Sequence, residues 1–107
     1  MINIEKLKPE IVERLKPLNP DKIILFGSYA NGNPTDDSDI DLFLLKDDLQ
    51  AEEMNNFEID AKMRLLDLIS RYKVGFDILS YPTNKIYERE DYFYKVDVLQ
   101  NGKVWYE

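Results

Sequence analysis

Asp39 and Asp41 stand two residues apart at the head of an apolar run, Asp39-Ile40-Asp41-Leu42-Phe43-Leu44-Leu45. In an extended strand, residues i and i+2 share a face and lie about 7 Å apart. The spacing predicts both carboxylates on one side of a strand over 39–45, with Ile40, Leu42 and Leu44 turned into a core on the other. Two carboxylates this close repel each other unless a cation lies between them, and oxygen-only ligands suit a hard divalent ion such as Mg²⁺. Two solvated aspartates would give the same letters, so Asp-x-Asp alone decides nothing. A calcium loop counted from Asp37 fails, because it needs Gly and Glu where Leu42 and Asp48 stand.

Gly27-Ser28 adds a second element. It follows the apolar run Lys22–Phe26, and a strand that turns there into a helical turn would offer backbone N–H groups and a hydroxyl to nucleotide phosphates. No Gly-Lys-Ser/Thr follows, so it is not a Walker loop, and Gly-Ser is also an ordinary turn. Asp77 is the third element, inside the apolar stretch Val74–Leu79. A buried carboxylate there needs a partner or a metal ion; a salt-bridged or an edge-strand aspartate would give the same letter. Placed on a strand beside Asp39 and Asp41, about 4.8 Å away, it would complete a cluster of three carboxylates facing the Gly27-Ser28 turn. Such a cluster suits two-metal phosphoryl transfer.

The elements that must position these residues follow from periodicity. Ile4, Leu7, Ile11, Val12 and Leu15 share one face of a helix over 4–16, with Pro9 weakening its early part and Pro17 and Pro20 ending it. Residues 28–38 read as a turn with one helical turn at its start. Met54, Phe57, Ala61, Leu65, Leu68, Ile69 and Tyr72 predict one long helix over 49–72. A strand over 74–79 is closed by Pro82, and a last helix runs from Thr83 to Leu99 before Asn101-Gly102. Residues 103–107 read as a short extended tail. About three strands and three main helices predict a small α/β (α+β) domain, a short mixed sheet packed with helices, with strand directions left open.

Composition removes much other chemistry. The chain has 107 residues and is read as one domain over 1–107. It has no Cys and no His, which excludes Ser-His-Asp and Cys-His nucleophiles, Cys/His zinc sites and disulfides. Fourteen Lys and Arg against 21 Asp and Glu give a net charge of −7, so direct nucleic-acid binding is not expected and a basic partner is favoured. There is no signal-peptide or membrane-length apolar stretch, and a soluble, cytoplasmic protein is expected.

Taken together, Gly27-Ser28-Tyr29-Ala30-Asn31-Gly32, five residues, then Ser38-Asp39-Ile40-Asp41-Leu42 resembles the signature of the DNA polymerase β-like nucleotidyltransferases, Gly-Ser-x-Ala-Arg-Gly, five residues, Ser-Asp-x-Asp-Leu. The length, Asp77 after the long helix and the ending Gly102-Lys-Val-Trp-Tyr-Glu107 resemble the minimal subfamily, over roughly residues 20–107. The resemblance implies that Gly27 and Ser28 hold the triphosphate of ATP. It implies that Asp39 and Asp41 bridge two Mg²⁺ ions, and that Asp77 ligates one of them and orients or deprotonates the acceptor hydroxyl. It further implies an antitoxin that transfers AMP to a tyrosine of a helical HEPN-type ribonuclease toxin. Asn31 departs from the family pattern, which has Arg there, so triphosphate charge would fall to metal ions, backbone N–H groups and Lys85 or Arg89. The alternatives are a binding module that neutralises its partner by contact, or a transferase acting on a small molecule or an RNA end. Tyr87, Tyr92, Phe93 and Tyr94 are read either as core packing or as a partner contact.

Overall fold

The computed structural model describes residues 2–107. Helix α1 (Ile4–Leu15) begins at Asn3, whose side chain accepts the Glu5 N–H at 3.1 Å. Pro9 lies beyond the first turn, yet the helix continues through it. Burial of Leu7, Ile11, Val12 and Leu15 against the sheet offsets the missing hydrogen bond, which is why the helix does not weaken there as expected. Strand β1 (Lys22–Phe26) leads into the one-turn helix α2 (Ser28–Asn31), and β2 (Ile40–Leu45) follows the loop.

The single helix expected over 49–72 is two. α3 (Ala51–Arg64) starts with reciprocal bonds between Gln50 and Glu53. It stops at Leu65, where the chain tightens through Leu65 N–H to Lys62 O and Leu68 N–H to Leu65 O, both 3.0 Å. α4 (Leu66–Tyr72) resumes from there. Leu65 and Leu68 stay buried across the break, while Tyr72, expected on the core stripe, ends 38% exposed.

Strand β3 (Phe76–Tyr81) lies two residues later than the sequence suggests. The last helix is also interrupted. α5 (Thr83–Ile86) ends before Arg89, which bonds both carboxylate oxygens of Asp91 at 3.1 and 2.9 Å. Residues two apart do not meet on a helix, so this fork and a helix exclude each other. α6 (Phe93–Gln100) then winds wide, with Asn101 N–H reaching back five residues to Val96 O.

The expected extended tail is a fourth strand, β4 (Lys103–Tyr106). The sheet order is β3-β2-β1-β4, with β2–β3 parallel and the other pairs antiparallel. One face, with Ile23, Leu25, Ile40, Leu42 and Leu44, packs on α1, α3 and α4. The other, with Ile24, Phe26, Phe43 and Leu45, packs on Ile86 of α5 and Val98 of α6. Two of the aromatic residues of the last segment join the core and two do not. Phe93 and Tyr94 pack edge-on against Phe26 and Phe43, with centroids 5.5 and 6.0 Å apart. Tyr87 and Tyr92 are 60% and 70% exposed. Among the described residues, no helix is long and apolar enough to cross a membrane.

Candidate active site

The parity of β2 separates its two jobs. Ile40, Leu42 and Leu44 are fully buried on the α1 side, and Asp41 shares the opposite face with Phe43 and Leu45. In the parallel pairing Asp41 is the register partner of Asp77, so the sheet itself sets the two carboxylates side by side. The Ile40 N–H donates to Gly75 O at 2.9 Å and fixes that register at the strand heads. Asp39 sits one residue before β2 and is exposed.

Two glycines let the backbone close on these carboxylates. Gly27 has φ +75°, and a Cβ there would collide with the Asp41 carboxylate. A Cβ on Gly75 would run into Asp39 Oδ1 in the same way. Sequence reasoning identified Gly27 and missed Gly75, although a glycine inside the apolar run Val74–Leu79 is the usual sign of a close approach.

Asp41 is pushed up from 3.8 to about 6, first by burial, then by the charges of Asp77 and Asp39, then by a hydrogen bond to the Asp77 carboxyl that the protonated form allows. Tyr29, buried in α2, is raised by burial and by Asp36 and Asp39. Among the described residues, no salt bridge reaches Asp39, Asp41 or Asp77. An uncompensated pair of carboxylates with oxygen donors alone is a set that a hard divalent cation fits.

Asp39 stands beside the Asp41–Asp77 pair, near enough for its charge to act on Asp41, although no three acidic groups among the described residues gather around one point. One expectation changes. Asp77 is exposed on the open face of an edge strand rather than buried, because α5 and α6 cover the β1–β2 side of that face.

Beside Gly27 and Ser28 opens a cavity of about 360 Å³, lined also by Phe26, Asn31, Asn33, Phe93 and Asp97. Ser28 and Tyr29 are the first residues of α2, where N–H groups have no partner within the helix. Phe93 and Asp97 were not read as lining residues; their four-residue spacing places them on one face of α6, but only the tertiary fold shows which face. Lys85 and Arg89 do not reach this cavity. Arg89 donates to the Tyr81 hydroxyl at 2.9 Å and stacks 4.8 Å from the Tyr94 ring. Tyr81 pairs with Leu45, four residues along the strands from Asp77 and Asp41, or about 13 Å. Lys85 lies at that same end, beside Leu49, Tyr81 and Pro82.

The polymerase beta nucleotidyltransferase family model matches residues 5–106. Two Methanocaldococcus jannaschii proteins that carry the name protein adenylyltransferase are similar to this chain. One is 33% identical over 98 residues, covering 92% of this chain and 89% of the relative. The other is 32% identical over 115 residues, covering 98% and 100%. Among solved structures, a toxin–antitoxin crystallised with AMP-PNP matches with a TM-score of 0.65 at 23% identity, covering 92% of this chain and 72% of that one. A mutant of the MntA-HpeT toxin–antitoxin matches at 0.64 and 21%, with the same coverage. A Sulfolobus solfataricus nucleotidyltransferase matches at 0.52 and 20%, covering 92% and 76%. The chain belongs to the polymerase β nucleotidyltransferase family and is a small α+β nucleotidyltransferase.

Proposed function

We propose that this chain, as one domain over 1–107, transfers AMP from ATP to a tyrosine hydroxyl of a HEPN-type toxin and so acts as its antitoxin. The observation that carries this reading is the register pairing of Asp41 with Asp77 beside the Gly27–Ser28 turn. The adenylyltransferase names of two relatives and the toxin–antitoxin structures of similar fold support the acceptor class.

Asp39, Asp41 and Asp77 would hold Mg²⁺, two ions in all, which supply charge neutralisation at the phosphates and at the acceptor oxygen when bound. Gly27 and Ser28 hold the triphosphate through backbone N–H groups and the Ser28 hydroxyl. The acceptor oxygen forms a bond to the α-phosphorus as the bond to the pyrophosphate oxygen breaks, in line. Asp77, the more open of the paired carboxylates, takes the hydroxyl proton. Positioning and electrostatics supply most of the rate.

A second reading is a contact inhibitor. It is favoured by Asn31, which leaves the cavity beside Gly27 without a lining cation. Growth of cells that express the partner toxin separates the two. Wild type restores growth in both readings; the Asp39→Asn/Asp41→Asn variant fails to restore it if transfer is the mechanism, and restores it fully if contact is.

A further inference from the structure

Asp77 is exposed on an edge strand, so the outer edge of β3 offers an acceptor protein a route to it, and the backbone there is free for contact. Ile40 N–H donates to Gly75 O and Lys46 N–H to Tyr81 O, so the odd-numbered residues of this segment carry the ladder to β2. Phe76, Ile78 and Ser80 therefore turn their N–H and C=O groups outward. Among the described residues, no backbone hydrogen bond reaches those groups. The two edges of the sheet differ. β4 begins at Lys103 and its pairing with β1 shifts register between Ile23 and Ile24, features that blunt an edge. β3, Phe-Asp-Ile-Leu-Ser-Tyr, pairs in unbroken register and contains no Lys and no Pro. Its one charge is Asp77, and Leu79, two residues on along the same face, is 40% exposed.

We propose that β3 receives an extended, basic segment of the acceptor protein as an added strand, which lays the acceptor tyrosine beside Asp77 and Leu79. The proposal rests on the transferase reading above and specifies how its protein substrate docks. Main-chain pairing would supply affinity, and the side chains over Asp77 and Leu79 would supply selectivity. Charge selects the occupant. Asp39, Asp41 and Asp77 are taken up by the metal ions in the transferase reading, but Glu58 accepts from the Ser80 hydroxyl at 2.6 Å beneath the edge and is in no salt bridge among the described residues. With a net charge of −7 on the chain, a segment bearing Lys or Arg complements this edge. A second copy of this chain would set the same acids against themselves at −7 per chain, which disfavours edge-to-edge pairing.

Amide hydrogen exchange on the full chain tests this directly. The probe is a capped eight-residue peptide of alternating lysine and valine with one central tyrosine. Its addition is expected to slow exchange at Phe76, Ile78 and Ser80 by at least about tenfold, and to leave Asp77 and Leu79, already bonded to β2, unchanged. The same peptide N-methylated at alternate residues is expected to leave all five unchanged. Unchanged exchange at Phe76, Ile78 and Ser80 would overturn the proposal. So would slowing produced by raising the protein concentration alone, which would assign the edge to a second copy. A parallel assay for AMP on the peptide tyrosine keeps the two readings apart. Edge protection without transfer contradicts the transferase reading, and transfer without edge protection contradicts the docking.

Discussion

Asp41 and Asp77 face each other as register partners across two parallel strands, with the backbone of Gly27 closed against the Asp41 carboxylate. Such a pairing stores repulsion in the folded state, because burial and neighbouring charge both oppose ionisation of Asp41.

That repulsion has a sign in pH. The Asp41 carboxyl is raised from 3.8 to about 6 on folding, so the folded state binds its proton more tightly than the unfolded chain. Its favourable contribution is whole below about pH 4 and is lost as pH rises through 6. In divalent-free buffer, Asp41→Asn is expected to raise Tm relative to wild type at pH 7.5, with the difference shrinking toward pH 4. Mg²⁺ at pH 7.5 is expected to raise the Tm of wild type and to leave that of the variant nearly unmoved. Thermal melts across pH check both; an Asp41→Asn penalty that is equal at every pH would contradict the account.

Gly27 and Gly75 are expected to be intolerant of a single methyl. Gly27→Ala meets the Asp41 carboxylate and an unfavourable positive φ, a combined cost of about 1–3 kcal/mol. Gly75→Ala pushes on Asp39 without the φ penalty, since only Gly27 and Gly32 among the glycines have positive φ. Transfer activity should therefore fall in both variants, and stability should fall further in Gly27→Ala. Denaturant titration beside an activity assay separates the two effects.

Arg89→Ala is expected to weaken folding rather than nucleotide binding. The guanidinium bonds Asp91 and the Tyr81 hydroxyl and stacks on Tyr81 and Tyr94, and it lies at the far end of the strands from Asp41. A lower Tm with an unchanged Kd for ATP is the expected pair of results. A large rise in Kd would place Arg89 at the triphosphate.

Asn31 is exposed and lines the cavity beside Ser28. Asn31→Arg supplies a cation there and is expected to tighten ATP binding about tenfold, or about 1.4 kcal/mol. Calorimetry at fixed Mg²⁺ measures it, and an unchanged Kd would show that the cavity does not receive the phosphates.

The chemistry-bearing letters were legible early because strand parity is local. The alternation around Asp41 correctly sent Ile40, Leu42 and Leu44 to the core. The parallel pairing that brings Asp77 beside Asp41 was not legible, since no local pattern encodes strand direction. Nor was β4: Lys103–Tyr106 becomes a strand only because β1 offers it an edge. The break at Leu65 keeps the same apolar spacing as an unbroken helix, so periodicity alone ran α3 and α4 together. At Arg89 a side-chain fork to Asp91 overrode helical preference, and the cations expected at the site went to the other end of the sheet.

Label transfer tests the central claim most directly. The protein is incubated with its partner toxin, Mg²⁺ and ATP labelled at the α-phosphate, with Asp39→Asn/Asp41→Asn as the control. The account expects label on a tyrosine of the partner with wild type and none with the variant. An unlabelled partner that is nonetheless neutralised, equally by both proteins, would contradict it.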